Sequence, residues 1–149
     1  MFRGQHNQTI DPKGRIILPV KFREVLVRQY DARLIITKYP DNCLIAYPVV
    51  EWEKKEAEIL TLPTGKKEVR AWKRFFISSA SECPVDKQGR VLIPAPLKEF
   101  ARLEKEIVIA GSIDHFEIWN KTMFAENTEP DEHFADSDAA SDILDKLGF

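Results

Sequence analysis

Nine residues occur twice in this chain. Residues 11–19 read DPKGRIILP and residues 86–94 read DKQGRVLIP, 75 positions apart. Asp, Gly, Arg and Pro keep identical spacing, with an apolar triplet between Arg and Pro. A repeat at fixed offset constrains the fold strongly, because each copy is a structural unit that must bury its apolar face against something. The likeness runs on past the motif. VKFREVLV and APLKEFAR both follow a proline, and both are amphipathic. Then come the apolar runs RLIIT and EIVIAG, and after them CLIAYP and HFEIWN, with Tyr47 and Trp119 near their ends. Each half therefore reads strand, turn, strand, helix, strand, strand, helix.

The motif has a mechanical reading. In DPKG, Asp opens a turn, Pro presets the next φ, and Gly14 supplies a positive φ. DKQG, with Gly89, repeats it without the proline. Arg15 and Arg90 open return strands rich in β-branched residues. Pro19 and Pro94 end those strands and suit the first turn of a helix. The expected apolar helix faces are Val20, Phe22, Val25 and Leu26 in the first copy, and Leu97, Phe100, Ala101 and Leu103 in the second. One copy has about 50 residues, too few to enclose a core alone. Two copies related by a pseudo-two-fold would bury each other's sheets in one small barrel. The expected fold class is α+β with a mainly β core and flanking helices.

The organisation follows. Residues 1–62 form the first repeat, 63–77 a connecting helix, 78–125 the second repeat, and 126–149 an acidic, flexible tail. The tail has a faintly amphipathic end, SDILDKLGF, whose last turns dock. On the connecting helix, Lys66, Arg70, Lys73 and Arg74 share one face, by default a solvated one. That face could also dock the acidic tail or a neighbouring subunit. Trp52, Trp72, Trp119, Phe75 and Phe76 are expected in the core or at subunit contacts.

Net charge is −2, but its distribution is uneven. Residues 1–74 hold 15 Lys+Arg against 9 Asp+Glu; residues 75–125 hold 6 against 7; residues 126–149 hold 1 against 8. A basic first half points to a polyanionic partner. The longest apolar runs are too short to span a bilayer, and MFRGQHNQTID lacks the apolar segment of a secretory signal. Cys43 and Cys83 are expected as reduced core residues. Hydrophobic residues at 44% and charged residues at 31% suit a soluble globular chain. His6, His115 and His133 lack metal-ligand spacing with either cysteine. There is no phosphate loop or nucleophile elbow. No enzyme, metal, cofactor or small-molecule substrate is expected.

FRGQHNQTIDPKGRIILPVKFR at 2–23, DKQGRVLIPAPLKEFARL at 86–103 and VIAGSIDHFEIWN at 108–120 resemble the MraZ family. These bacterial regulators are related to AbrB-type swapped-hairpin transcription factors. The likeness covers roughly residues 1–125, and the acidic tail has no counterpart in the matched pattern. The resemblance implies an AbrB-like double-split, swapped-hairpin β-barrel. It also implies a ring-shaped homo-oligomer, octamer-like, that binds tandem double-stranded DNA repeats upstream of division and cell-wall genes. A cytoplasmic, nucleoid-associated repressor is the corresponding expectation. The family's paired Asp-x-x-x-Arg signature is met by Asp11 with Arg15 and by Asp86 with Arg90.

The residues support this independently. A hairpin with Arg just past its tip is a two-stranded ribbon of the kind the major groove accepts, and Arg pairs bidentately with guanine. Arg15 is the expected base reader, with Lys13 and Arg3 on phosphates. Asp11 is expected to accept hydrogen bonds from its turn and to orient Arg15. Arg90 and Lys87 are the second copy's candidates, with Asp86 as the orienting carboxylate. More basic residues surround the first copy, and Ser78 stands where Arg3 would recur, so the first hairpin is expected to dominate. The alternative is a ring-forming scaffold whose basic face binds acidic protein segments, its own tail among them.

Overall fold

A computed structural model of the chain describes residues 1–128 and 137–148. The first copy supplies β1 (Gln5–Thr9), β2 (Arg15–Ile17), α1 (Val20–Gln29), β3 (Arg33–Tyr39), β4 (Cys43–Pro48) and α2 (Val49–Leu60). Helix α3 (Lys67–Phe76) connects the copies. The second supplies β5 (Ser81–Pro84), β6 (Arg90–Leu92), α4 (Ala95–Phe100), β7 (Glu106–Gly111), β8 (Phe116–Asn120) and α5 (Lys121–Thr128). Helix α6 (Asp138–Leu147) follows. The strand and helix order read from the sequence recurs in both copies. Helices α5 and α6 both reach into the stretch expected as a flexible tail. Residues 129–136 and 149 of that stretch lie outside the described residues.

The pairing exchanges strands between copies. The six-stranded antiparallel sheet runs β1-β7-β8-β4-β3-β5, and a separate ribbon pairs β2 with β6. β1 of the first copy lies on β7 of the second, with Gln5 opposite Ala110 and Thr9 opposite Glu106. β5 of the second lies on β3 of the first, with Arg33 opposite Pro84. The strand order is unchanged when every strand is replaced by its counterpart in the other copy. The fold is thus α+β, mostly antiparallel sheet with helices.

Alternation assigns the two faces of the sheet. Leu34, Ile36, Leu44, Ala46, Ile107, Ile109, Phe116 and Ile118 point to one core, which the ribbon and helices α1 and α4 close. Of the twenty buried residues in that core, ten come from residues 2–46 and ten from 83–118. Neither copy could assemble it alone. On the other face, Ile45, Tyr47, Trp52, Ile59 and Phe76 pack beneath α2 and α3. Cys43, Val108 and Trp119 pack there with Phe124 of α5. β4 is buried along its whole length because both faces are covered. Both cysteines are free and buried, and burial pushes the Cys83 thiol up to about 11.

Prolines 19, 48 and 94 each stand immediately before a helix, with φ between −56° and −53°. Their fixed φ suits a helix entry, and the missing N–H would have no intrahelical acceptor there. The Pro19 carbonyl accepts from the N–H groups of Phe22 and Arg23; that of Pro94 accepts from Leu97 and Lys98. The proline therefore ends the ribbon strand and turns the chain down onto the core.

Candidate nucleic-acid interface

Both copies of the repeated motif meet on one ribbon. In the β2–β6 pair, Arg15 lies opposite Leu92, Ile16 opposite Val91, and Ile17 opposite Arg90. Ile16 and Val91 are buried in the core. Period two then puts Arg15, Ile17, Arg90 and Leu92 on the outward face. Ile17 and Leu92 are 49% and 56% exposed, unusual for large apolar side chains on a strand. Arg15 and Arg90 are diagonal neighbours, within reach of one another for side chains of this length.

The two motif copies share one hydrogen-bond scheme. The Asp11 carboxylate accepts from the backbone N–H of Arg15 at 2.8 Å and of Lys13 at 3.0 Å. Its other oxygen accepts from Arg15 Nε at 2.7 Å. Asp86 does the same with Arg90 N–H at 2.8 Å, Gln88 N–H at 2.9 Å and Arg90 Nε at 2.8 Å. The backbone N–H of the following arginine, then its guanidinium and the other turn N–H, hold both carboxyls below their usual range. Each Asp engages only the Nε edge of its Arg. Among the described residues, the two Nη groups of Arg15 and Arg90 make no hydrogen bond. That leaves each guanidinium end free for a planar acceptor pair.

The turns interlock across copies. Gly14 (φ 87°) and Gly89 (φ 78°) take the left-handed conformation that the motif demands. The Ile93 N–H donates to the Gly14 carbonyl, and the Leu18 N–H to that of Gly89, both at 2.9 Å. Each turn is also overlaid by the other copy's helix. A Cβ on Gly89 would lie 2.3 Å from Arg23 Cδ, and one on Gly14 would meet Ile93 O at 3.3 Å. Arg23 Nη1 donates to the Gln88 carbonyl at 3.3 Å, while its Nε is buried and finds no partner among the described residues. Lys98, 75 positions on, lies in the equivalent place beside Gly14.

Lys13 and Lys87 sit on the two turns, at opposite ends of the ribbon, and both are exposed. The strip from Lys13 through Arg15 and Arg90 to Lys87 is therefore continuous. Arg3 precedes β1, whose strand pairs with β7 of the second copy. The Ile10–Ile16 bridge and the bond from the Asp11 N–H to the Arg15 carbonyl, 3.0 Å, join the end of that segment to the start of β2. Arg23 and Lys98 were visible in the sequence as neighbouring charges, but not that each serves the other copy's turn. Their shared offset of 75 was the available signal.

No group of three or more His, Cys, Asp or Glu among the described residues could hold a metal ion. No helix there is long and apolar enough to cross a membrane.

Comparison with known proteins gives a consistent result. The family model for MraZ protein matches the chain twice, over residues 1–75 and 76–146. The transcriptional regulator MraZ of Pelotomaculum thermopropionicum is 46% identical over 149 residues, covering 99% of this chain and 95% of that protein. That of a Thermoanaerobacter species is 48% identical over 126 residues, 85% of each chain. A solution structure of PHS018 from Pyrococcus horikoshii covers 79% of this chain and 88% of its own. At 15% identity and a TM-score of 0.34, that likeness carries no argument.

Proposed function

The chain belongs to the MraZ family, and on that premise we propose a sequence-specific DNA-binding transcriptional regulator that reads the major groove with its β2–β6 ribbon. One observation carries the reading: both Asp–Arg motifs lie on the outward face of one two-stranded ribbon. Such a ribbon fits the major groove, and each guanidinium, held at Nε, offers its end to guanine O6 and N7. Ile17 and Leu92, between the arginines, would take thymine methyl groups. Lys13 and Lys87 at the two ends would meet phosphates, which position without reading sequence. Both copies then contribute to one site, rather than the first dominating.

In this reading the fold is the AbrB-like double-split barrel, its ribbon made by the two exchanged hairpins. The protein acts in the cytoplasm on the nucleoid as a ring-shaped homo-oligomer. One ribbon makes few contacts, so a single subunit binds weakly; a ring carrying several ribbons grips tandem repeats with multiplied affinity. The sites lie upstream of its own division and cell-wall genes, and occupancy represses them.

A salt-titrated binding isotherm tests this, with the DNA upstream of the protein's own gene and a scrambled duplex as control. Wild type should prefer the native duplex. Arg15→Ala and Arg90→Ala should each lose about 5- to 150-fold of that preference, the factor for one bidentate base contact of about 1–3 kcal/mol. Lys13→Ala should weaken both duplexes alike and flatten the salt slope by about one ion. If wild type binds both duplexes equally, the base-reading role fails. The scaffold with a basic face for acidic segments would then take its place.

A further inference from the structure

Each turn of the ribbon is covered by a cation from the other copy. Helix α1 of the first copy starts beside the Gly89 turn, where the Leu18 N–H holds the Gly89 carbonyl. Helix α4 of the second starts beside the Gly14 turn, held in the same way through Ile93. Arg23 on α1 lies across Gly89: its Cδ, Nε and Nη1 are 2.3, 2.7 and 2.9 Å from the place a Cβ would take. Lys98 on α4 lies beside Gly14, its Cδ 4.0 Å from the equivalent place. The two cations are 75 positions apart, the offset of the motif itself. Both side chains are half-buried. Their stems cover the glycine, which leaves the charged head at the end of the ribbon.

Packing alone asks for no charge here. An unbranched apolar side chain would cover a glycine equally well and would bury no N–H. Arg23 instead buries its Nε with no partner among the described residues, which is costly. Nor is either charge spent inside the fold. Asp86, on the turn beneath Arg23, already has its oxygens on Arg90 and the Gln88 N–H. Asp11, on the turn beside Lys98, is engaged in the same way by Arg15 and Lys13. Among the described residues, neither Arg23 nor Lys98 has an ion-pair partner. Each end of the ribbon therefore carries two uncommitted cations, Arg23 with Lys87 and Lys98 with Lys13.

We propose that Arg23 and Lys98 are DNA-phosphate contacts supplied crosswise, each copy's helix gripping the backbone beside the other copy's hairpin. This rests on the ribbon being the DNA reader, and adds two contacts from outside its strands. A major groove filled by the ribbon is walled by phosphates, which bind cations without regard to sequence. The crossing also redistributes charge. Arg23 lies near the first motif in the chain, yet the fold carries it to the second motif's turn.

Salt-titrated isotherms on the native and scrambled duplexes test the proposal with Arg23→Met and Lys98→Met, which keep an unbranched stem over the glycine. Each should weaken both duplexes alike and leave their ratio intact. Each should flatten the slope of log affinity against log salt by about 0.9 per engaged ribbon, and the pair by about 1.8. Arg23→Lys keeps the charge and loses the bond to the Gln88 carbonyl, so it should retain the wild-type slope. If the arginine only holds the turn, Arg23→Lys and Arg23→Met will behave alike, and the proposal fails. It fails too if the paired Met variant keeps the wild-type slope, or if the duplex ratio falls while the slope stays. Wild type binding both duplexes equally, with the slope still flattened by Met, would remove the base-reading role and leave these phosphate contacts standing. Wild type binding neither duplex would overturn both.

Discussion

At the scale of single residues, Asp11 and Asp86 have the most to do. Each carboxylate ties the turn backbone to the following arginine and aims its guanidinium outwards. The same bonds make both positions sensitive to acid. Their carboxyls titrate lower in the folded chain than in the unfolded one, so the unfolded chain binds more protons in the intervening range. The stability they contribute is complete above the ordinary carboxylate value of 3.8 and is lost as pH falls through the lower folded value. Urea unfolding followed from pH 6 to pH 2.5 should therefore show stability falling at the acid end. Asp11→Asn with Asp86→Asn should make that segment shallower than in wild type.

Elements are joined by a few polar ties, and Thr37 on β3 is the clearest. It is fully buried, and its hydroxyl donates to the Phe76 carbonyl at the end of α3, 2.6 Å away. This bond satisfies a carbonyl that the helix end leaves without an N–H. Thr37→Val should cost about 1–3 kcal/mol by leaving that carbonyl unpaired, read as a lower urea midpoint at unchanged slope. Such ties also mark what sequence could and could not say about this protein. The turns, the proline-led helices and the apolar alternation were readable because each is a local pattern of a few residues. The Asp–Arg unit was readable for the same reason, since all its bonds close within five residues. Strand partners were not, because nothing in GQHNQTI states that its mate lies about a hundred residues away. The joining of Arg15 and Arg90 on one face follows from that gap, since it needs the β2–β6 register and not merely two hairpins.

For the whole molecule, the evenly divided core has a direct consequence. Residues 1–75 and 76–149 prepared separately should each lack the cooperative thermal unfolding of the intact chain, because β1, β3 and β2 of one fragment need β7, β5 and β6 of the other. Mixed in equal amounts, the fragments should regain strand content and a cooperative transition, at a midpoint that rises with concentration. Circular dichroism of the fragments and of their mixture measures this directly. Independent folding of either fragment as a monomer would contradict the shared core.

The pairing of β1 with β7 also matters while the protein is being made. Gln5 emerges from the ribosome first, yet its partner Ala110 is 105 residues behind it. At about 5–20 residues per second, β1 waits several seconds or more with its edge unpaired. During that time only β3 and β4, a local hairpin, can form among the first copy's sheet strands. Until β7 arrives the unpaired edge of β1 is open to mispairing, so a change in translation speed should change the yield of native protein.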